Sequence, residues 1–577
     1  MILDPQQRAA VLSPHRNTLV LAGAGSGKTR VLVSRIIHLI KHERVSPYEI
    51  MALTFTRKAA NEMQQRIRRE YGAVPVKVGT IHALALKFIR MYGDSIGYRP
   101  NRMTVYSEWE ENFLRKDTCG IVSAKIGDAV AIDAYYQTGL EPKPDTIERR
   151  LFDVFLSRLR QYNSMTYGML LVTMKKLIPV IVGRAISHIL VDEAQDLDRL
   201  QWGILRAFQD ERPSCTIFAV GDQDQSIYEW RGAFPEYLTW IAAGATGRVF
   251  EVFKLETNYR STPEIVKHAA NLITHNKKRI EKSMRPFRDD NGLVSILEEC
   301  DSKRLADAIV SIQAKRPNDQ IAVLSRTHVL ISKLSRVLAD RSIEHHYCGQ
   351  TRSVMDSESF RRTHAVFKLM KNPADDFSFS VARPFFRVEN SEFAAIVNQS
   401  LERQVSHFET WADNSGMGER LFGGRIAEKP LGEIIARIDR VLGFEFDISM
   451  SLRIAQKCAE NGMTLEEYLD FVTTFDLQDD VAPAHKAGIQ LMTIHAAKGL
   501  EFPIVIIAGV NEGILPIKQA MSIGEFEEER RLAYVAMTRA EDWLFITSRP
   551  EVTGAKGQFK NPISRFIGET EVKNVRQ

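Results

Sequence analysis

The sequence predicts an α/β chain built on two parallel-sheet cores, each interrupted by a mostly helical stretch. Three observations carry this. Short apolar runs alternate with helical periodicity over the first 84 residues and again from about residue 263, the beat of a parallel sheet. The beat stops over residues 85–181 and again over 383–487, where helical and charged patterns dominate. Apolar runs then return, as "HILVDEA" and "CTIFAVGD" after the first break and as "IQLMTIHA", "PIVIIAGV" and "DWLFITS" after the second.

Taken in order, "NTLVLAG" reads as a strand, followed by a glycine turn and the helical pattern "KTRVLVSRIIHLI". "IMALTF" is a second strand, leading into the helix-like "RKAANEMQQRIRRE"; "VKVGTIHA" is a third. In the second region "QIAVLSRT" is strand-like. The expected partition is residues 1–84 and 182–262 for the first core and 85–181 for its insert. Residues 263–382 and 488–577 form the second core, and 383–487 its insert, which runs into the turn-rich "DLQDDVAPAHKAG".

Gross composition excludes little. The 577 residues are 44% hydrophobic and 26% charged, ordinary usage for a globular protein. A net charge of +5 means that any nucleic-acid surface is local, not global. Cys119, Cys215, Cys300, Cys348 and Cys458 form no CxxC pair, so a reduced, cytoplasmic chain is expected. "MILDPQQRAA" lacks a secretory pattern, and "PIVIIAGV" is too short to span a bilayer, so no membrane partner is expected.

Chemistry begins at "GAGSGKT", residues 23–29, between a strand and a helix. That context suits a phosphate-binding loop, with glycines that let backbone N–H groups of Ala24, Gly25, Ser26 and Gly27 turn onto phosphate oxygens. Lys28 then reaches the terminal phosphates and Thr29 holds Mg²⁺. "HILVDEAQD" ends an apolar strand in two acids: Asp192 suits a magnesium ligand, and Glu193 suits polarisation of an attacking water. Asp196 and Asp198 read as ordinary surface acids. Cleaving a phosphoanhydride also needs positive charge at the leaving phosphoryl group. Arg260 in "LETNYRS" and Arg539 in "AYVAMTRAEDWLFI" are candidates, though spacing alone equally allows surface ion pairs. "GDQDQSIYEWRGA" sets Tyr228 and Trp230 among polar residues that would be costly to bury unpartnered, which favours rings stacking on something planar.

Together these segments resemble the UvrD/Rep family of superfamily 1A DNA helicases. The matching stretches are "LDPQQRAAV", "LAGAGSGKTRVLV", "LTFTRKAANEM", "GTIHAL", "LVDEAQD", "GDQDQSIYEWRGA", "LETNYRS", "LMTIHAAKGLEFPIVII" and "EEERRLAYVAMTRA", in the family's order from residue 3 to 540. The resemblance implies two RecA-like motor domains with ATP and Mg²⁺ in the cleft between them. It implies that Gln7 reads the adenine edge, that Arg30 and Tyr259 sandwich the base, and that Glu501, beside Gly499, binds the ribose. Gln225 touches the γ-phosphate, and Arg260 and Arg539 act as paired arginine fingers. Phe55, His82, Tyr228, Trp230, Arg231, Thr493 and His495 contact single-stranded DNA. Without the resemblance, Phe55 reads as core, and His82 and His495 as structural histidines.

The implied function is ATP-dependent 3′–5′ translocation on single-stranded DNA with unwinding of duplex DNA at single-strand/duplex junctions. The chain is expected to act as a monomer or weak oligomer. The alternative is a DNA-stimulated ATPase with weak unwinding, kept open by a second insert shorter than is usual in the family. The basic runs "RKAANEMQQRIRR" and "NKKRIEKSMRPFR" read either as phosphate tracks or as solvated helix faces. "MTYGMLL" carries Thr166 and Gly168 where relatives carry acids. The short stretch after Ala540 is expected to hold no nuclease domain.

Overall fold

In the computed structural model, residues 2–572 are described, apart from 15, 183–185, 299, 349–353, 424, 443–448, 474, 476–487, 550, 555–556 and 561. Most of "DLQDDVAPAHKAG" therefore lies outside the described residues. The chain divides into two compact units: Met1–Thr80, Ala185–Gly349 and Asp476–Gln577 form one, and Ile81–Arg184 with Gln350–Phe475 form the other.

The first unit holds two six-stranded sheets. The strands of the first are β1 (Asn17–Ala22), β2 (Ile50–Thr54), β3 (Lys77–Thr80), β4 (His188–Val191), β5 (Thr216–Gly221) and β6 (Glu251–Leu255), in the order β3-β2-β4-β5-β1-β6. Every pairing is parallel. β1, β2 and β4 are almost wholly buried, which is why they read as continuous apolar runs and not as alternating ones. Helices Lys28–Lys41 and Arg57–Tyr71 follow β1 and β2, the second opened by the Thr56 hydroxyl accepting from Ala59 N.

The second sheet is built from β7 (Leu293–Leu297), β8 (Gln320–Ser325), β9 (His345–Tyr347), β10 (Gly488–Thr493), β11 (Phe502–Ala508) and β12 (Ala540–Thr547). Its order is β7-β12-β11-β8-β10-β9, again all parallel. The strand patterns in the sequence do not include β6, β7 or β9. β6 and β9 close the edges of their sheets, and β6 alternates exposed and half-buried positions, so no apolar run announces it.

The other unit is mostly helical and is made from both interrupting stretches. Its apolar core includes Val366, Phe367, Phe379, Ile434 and Tyr468. Buried polar contacts join the stretches: Lys368 Nζ donates to Glu110 Oε1 at 2.6 Å, Tyr106 to Asp375 Oδ1 at 2.5 Å, and Arg90 to both Asp470 carboxylate oxygens at 2.7 and 2.8 Å. Residues 358–382, expected in the second core, belong here because Phe367, Phe379, Lys368 and Asp375 are buried in this unit. Residues 81–84 fall here as well, so His82 lies in the helical unit. The missing acids of "MTYGMLL" have a local explanation. Thr166 Oγ1 bonds to the Tyr136 hydroxyl at 2.6 Å, and a Cβ on Gly168 would lie 2.4 Å from the Tyr136 ring. Tyr136 occupies the space that a longer side chain at 168 would need.

Candidate active site and nucleic-acid interface

The loop 23–27 leaves β1 and turns into the helix that begins at Lys28. Gly25 (φ 67°) and Gly27 (φ 82°) are left-handed. A Cβ at Gly25 would stand 2.8 Å from Asn258 Nδ2, and one at Gly27 2.8 Å from Gln7 Nε2. These close approaches pack Gln7 and Asn258 against the loop at the end where a base is expected. Gln7 Nε2 donates to Ser26 O at 2.9 Å, Tyr259 N to Gly25 O at 2.9 Å, and the Tyr259 hydroxyl to Asp4 Oδ2 at 2.5 Å. Arg30 is exposed and Tyr259 half-buried.

Asp192 and Glu193 follow β4 directly. Lys28 Nζ lies 3.6 Å from Glu193 Oε2, and Gln195 Nε2 donates to the same oxygen at 2.7 Å. Glu193 has φ 50°, a strained conformation for a non-glycine residue that the surrounding bonds enforce. The two acids are driven apart electrostatically. Burial, with Glu193 alongside, pushes Asp192 up to about 7. Burial also opposes ionisation of Glu193, but Lys28, Lys498, Gln195 and Arg539 outweigh it and hold Glu193 below the usual carboxylate range. Glu193 is therefore the ionised partner, the state a general base needs.

Two arginines reach this place from opposite sides: Arg539 stands directly before β12 of the second sheet, and Arg260 follows β6 of the first. Arg539, buried, donates from Nη2 to Gln225 Oε1 at 3.0 Å and from Nη1 to Leu500 O at 3.1 Å. Burial and the nearby Arg260 lower it to about 9. Arg260 donates to Glu501 Oε2 at 2.8 Å and to Thr538 O at 3.0 Å. Glu501, expected at the ribose, thus holds one of the arginines, and Gly499 is left-handed (φ 81°) two residues before it.

Residues 222–231 run from this pocket to a cluster of rings. Tyr228 is 6% exposed and stacks on Phe55 with ring centroids 4.6 Å apart, and its hydroxyl donates to His495 O at 3.3 Å. The ring that faces outward is Trp230, 64% exposed, with the Arg231 guanidinium 5.1 Å from its centroid and His495 edge-on at 6.1 Å. The sequence expects both rings to stack on bases; in the structure Tyr228 is buried against Phe55 and Lys498, with its hydroxyl on a backbone partner. Burial and the cations Arg326, Lys498 and Arg231 push His495 down to about 3, so it is neutral. Thr493 ends β10, buried two residues before His495. In the helical unit, His82 stacks on Tyr167 at 4.3 Å with 12° between the planes.

Several partnerships at the site are not marked by local sequence pattern. Asp196 is not a surface acid: it is buried, and Lys498 Nζ donates to its Oδ2 at 2.5 Å. Asp198 caps the helix Arg199–Glu211, accepting from Gln201 N at 2.7 Å. Lys498 also donates to Gln225 O at 2.7 Å and lies 5.0 and 5.8 Å from the Tyr228 and Phe55 ring centroids. One buried cation therefore touches both the phosphate end and the ring end. Arg531 Nε donates to Ser226 O at 2.7 Å, and Arg531 pairs with Glu229. Within "NKKRIEKSMRPFR", Arg279 and Lys282 are neither phosphate tracks nor a solvated helix face; both pair with buried acids of the 222–225 loop.

Among the described residues no helix is long and apolar enough to cross a membrane. A family model described as the UvrD/REP helicase N-terminal domain matches residues 3–242, and one described as the UvrD-like helicase C-terminal domain matches 253–416 and 445–551. The chain is similar to DNA helicase II of Escherichia coli (strain K12), 30% identical over 100% of this chain and 88% of that protein. It is 28% identical to ATP-dependent DNA helicase PcrA of Bacillus subtilis (strain 168), over 98% of this chain and 85% of that protein. It is also 28% identical to ATP-dependent DNA helicase Rep of Buchnera aphidicola subsp. Acyrthosiphon pisum, over 100% and 99%.

Proposed function

This chain belongs to the UvrD/Rep helicase family, and we propose that it is an ATP-dependent DNA helicase that travels 3′ to 5′ on single-stranded DNA and separates duplex ahead of it. The observation that carries this reading is the path of residues 222–231. Gln225 accepts from Arg539, which also bears electrostatically on Glu193, while Trp230, five residues on, offers an exposed ring. Base stacking on such a ring ignores sequence, which suits a protein that must grip any strand.

Ala24–Gly27 and Lys28 bind the triphosphate, Tyr259 and Arg30 bracket the base, and Gln7 fixes the loop through Ser26 O. Glu193, ionised, takes a proton from the attacking water. Arg539, before β12 of the second sheet, and Arg260, after β6 of the first, meet the charge that develops on the transferred phosphoryl group. Thr29 and Asp192 are the residues that would hold Mg²⁺. A buried carboxylate pushed up to about 7 is one that a cation would stabilise, and one carboxylate plus one hydroxyl suits an ion that keeps waters and phosphate oxygens as its remaining ligands. When bound, the ion neutralises phosphate charge.

ATP drawn between the sheets engages groups of both at once, so its cleavage frees the second sheet to move. Tyr228 and Lys498 carry that movement to Trp230, Arg231 and His495. The substrates are single strands and single-strand/duplex junctions, acted on by a monomer or weak oligomer in the cytoplasm. The five cysteines, all free and buried, suit a reducing compartment. The test is strand separation on 3′-tailed and 5′-tailed duplexes alongside ATP turnover. Separation of the 3′-tailed duplex alone is expected; DNA-stimulated turnover with neither duplex opened assigns a remodelling ATPase instead.

A further inference from the structure

We propose that Lys282 is a positioning residue for phosphoanhydride cleavage, acting through Asp222 to fix the side chain of Gln225. The inference rests on the motor reading above. Lys282, Asp222, Gln225 and Arg539 form a chain of buried side chains. Lys282 Nζ donates to Asp222 Oδ1 and lies 3.4 Å from Asp224 Oδ2. Gln225 Nε2 donates to Asp222 Oδ2 at 2.5 Å, and Gln225 Oε1 accepts from Arg539 at 3.0 Å. The amide of Gln225 thus has one orientation: its nitrogen must face a carboxylate and its oxygen must face a guanidinium.

Asp222 orients that amide only while it stays ionised, and burial opposes ionisation. Lys282 supplies the opposing charge, and Asp222 is held below the usual carboxylate range despite its burial. Arg279 pairs with the neighbouring Asp224, donating to Oδ1 at 3.1 Å and Oδ2 at 2.8 Å. The segment carrying both cations is itself fastened. Asn276 donates to Glu527 O at 3.0 Å and accepts from Arg530 at 2.6 Å, and Ile280 N donates to Gln223 Oε1 at 3.1 Å. At its far end Met284 covers the phosphate loop, where a Cβ on Gly23 would lie 2.0 Å from the Met284 sulfur. One irregular segment therefore sets the positions of both the loop that holds the phosphates and the side chain that meets them.

The experiment is a double-mutant cycle on DNA-stimulated ATP turnover with Lys282→Met and Gln225→Ala. Lys282→Met is expected to lower kcat by roughly 10- to 100-fold, the cost of a misplaced group, with the ATP KM and single-stranded DNA affinity within about twofold. In the Gln225→Ala background the same substitution is expected to change kcat by less than about twofold, because the group it positions is gone. An equal loss in both backgrounds, or no loss in the parent, overturns the proposal. If Lys282→Met does not fold, Asp222→Asn is compared with Asp222→Asn/Lys282→Met: no further loss of kcat is expected, because Lys282 acts only through the ionised Asp222, and a further loss of about 10-fold or more overturns the proposal. If Lys28→Ala and Gln225→Ala leave turnover intact, the motor reading has failed; if they abolish or reduce it and the cycle is additive, only the role of Lys282 has.

Discussion

Arg539 and Gln225 meet at 3.0 Å although 314 residues separate them in the chain. One belongs to the second sheet's machinery and the other follows β5 of the first. Neither sheet alone holds the proposed phosphate site: Lys28, Asp192, Glu193 and Gln225 come from the first, Arg539 from the second. A nucleotide that binds all of them is sensitive to how the sheets lie against each other.

Glu193 is the ionised member of the carboxylate pair, so its replacement removes the base without removing the binding loop. Glu193→Gln is expected to lower turnover by about 10²–10⁴-fold while ATP and single-stranded DNA affinities stay near the parent's. Single-turnover ATP cleavage with parallel binding titrations checks this, and undiminished cleavage would falsify the assignment.

Lys498 pairs with Asp196 and touches both ends of the coupling segment. Lys498→Met strands a buried carboxylate, a change that typically costs about 3–5 kcal/mol. Asp196 is already pushed up to about 7 by burial, against the pull of Lys498. Without the lysine the protonated acid is the tolerated form, so the deficit should shrink at pH 6 and grow at pH 8. Denaturant midpoints at the two pH values measure it. The same variant should hydrolyse ATP with little stimulation by DNA.

His495 gives a pH effect of opposite sign. Its folded pKa, pushed down to about 3, lies below the ordinary value near 6.5. Between those values the unfolded chain binds the extra proton, so stability falls as pH drops below 6.5. His495→Asn should remove on the order of 1–2 kcal/mol of the loss that the parent shows between pH 7.5 and pH 5. Equal losses in parent and variant would place His495 in a more solvated setting.

The sequence made the strands flanking the site legible because each is a short apolar run ending in its functional residues: β1 before the phosphate loop, β4 before Asp192, β10 before His495. It did not show which polar residues go inside. Asp196, Lys282 and Lys498 have surface-type side chains, and their burial depends on partners distant in sequence. Tyr228 and Trp230 illustrate the same limit. The pattern marked both as rings near a strand, but only the fold decides that one hydroxyl reaches His495 O and the other ring stays in solvent. Likewise, nothing local marks residues 358–382 as part of the helical unit, since their partners lie near residues 104–110 and in the helix that contains Tyr468.

On the proposed mechanism the exposed ring of Trp230 grips the strand, and the segment behind it sets the rate of ATP cleavage. The most direct measurement is DNA-stimulated ATP turnover in Trp230→Ala, whose ring is too exposed to support the core. Loss of a stacked base should weaken single-stranded DNA binding by about 1–3 kcal/mol, and turnover at saturating DNA should fall toward the DNA-free rate with the thermal midpoint unchanged. Turnover stimulated as strongly as in the parent, with DNA affinity intact, would rule out Trp230 as the grip.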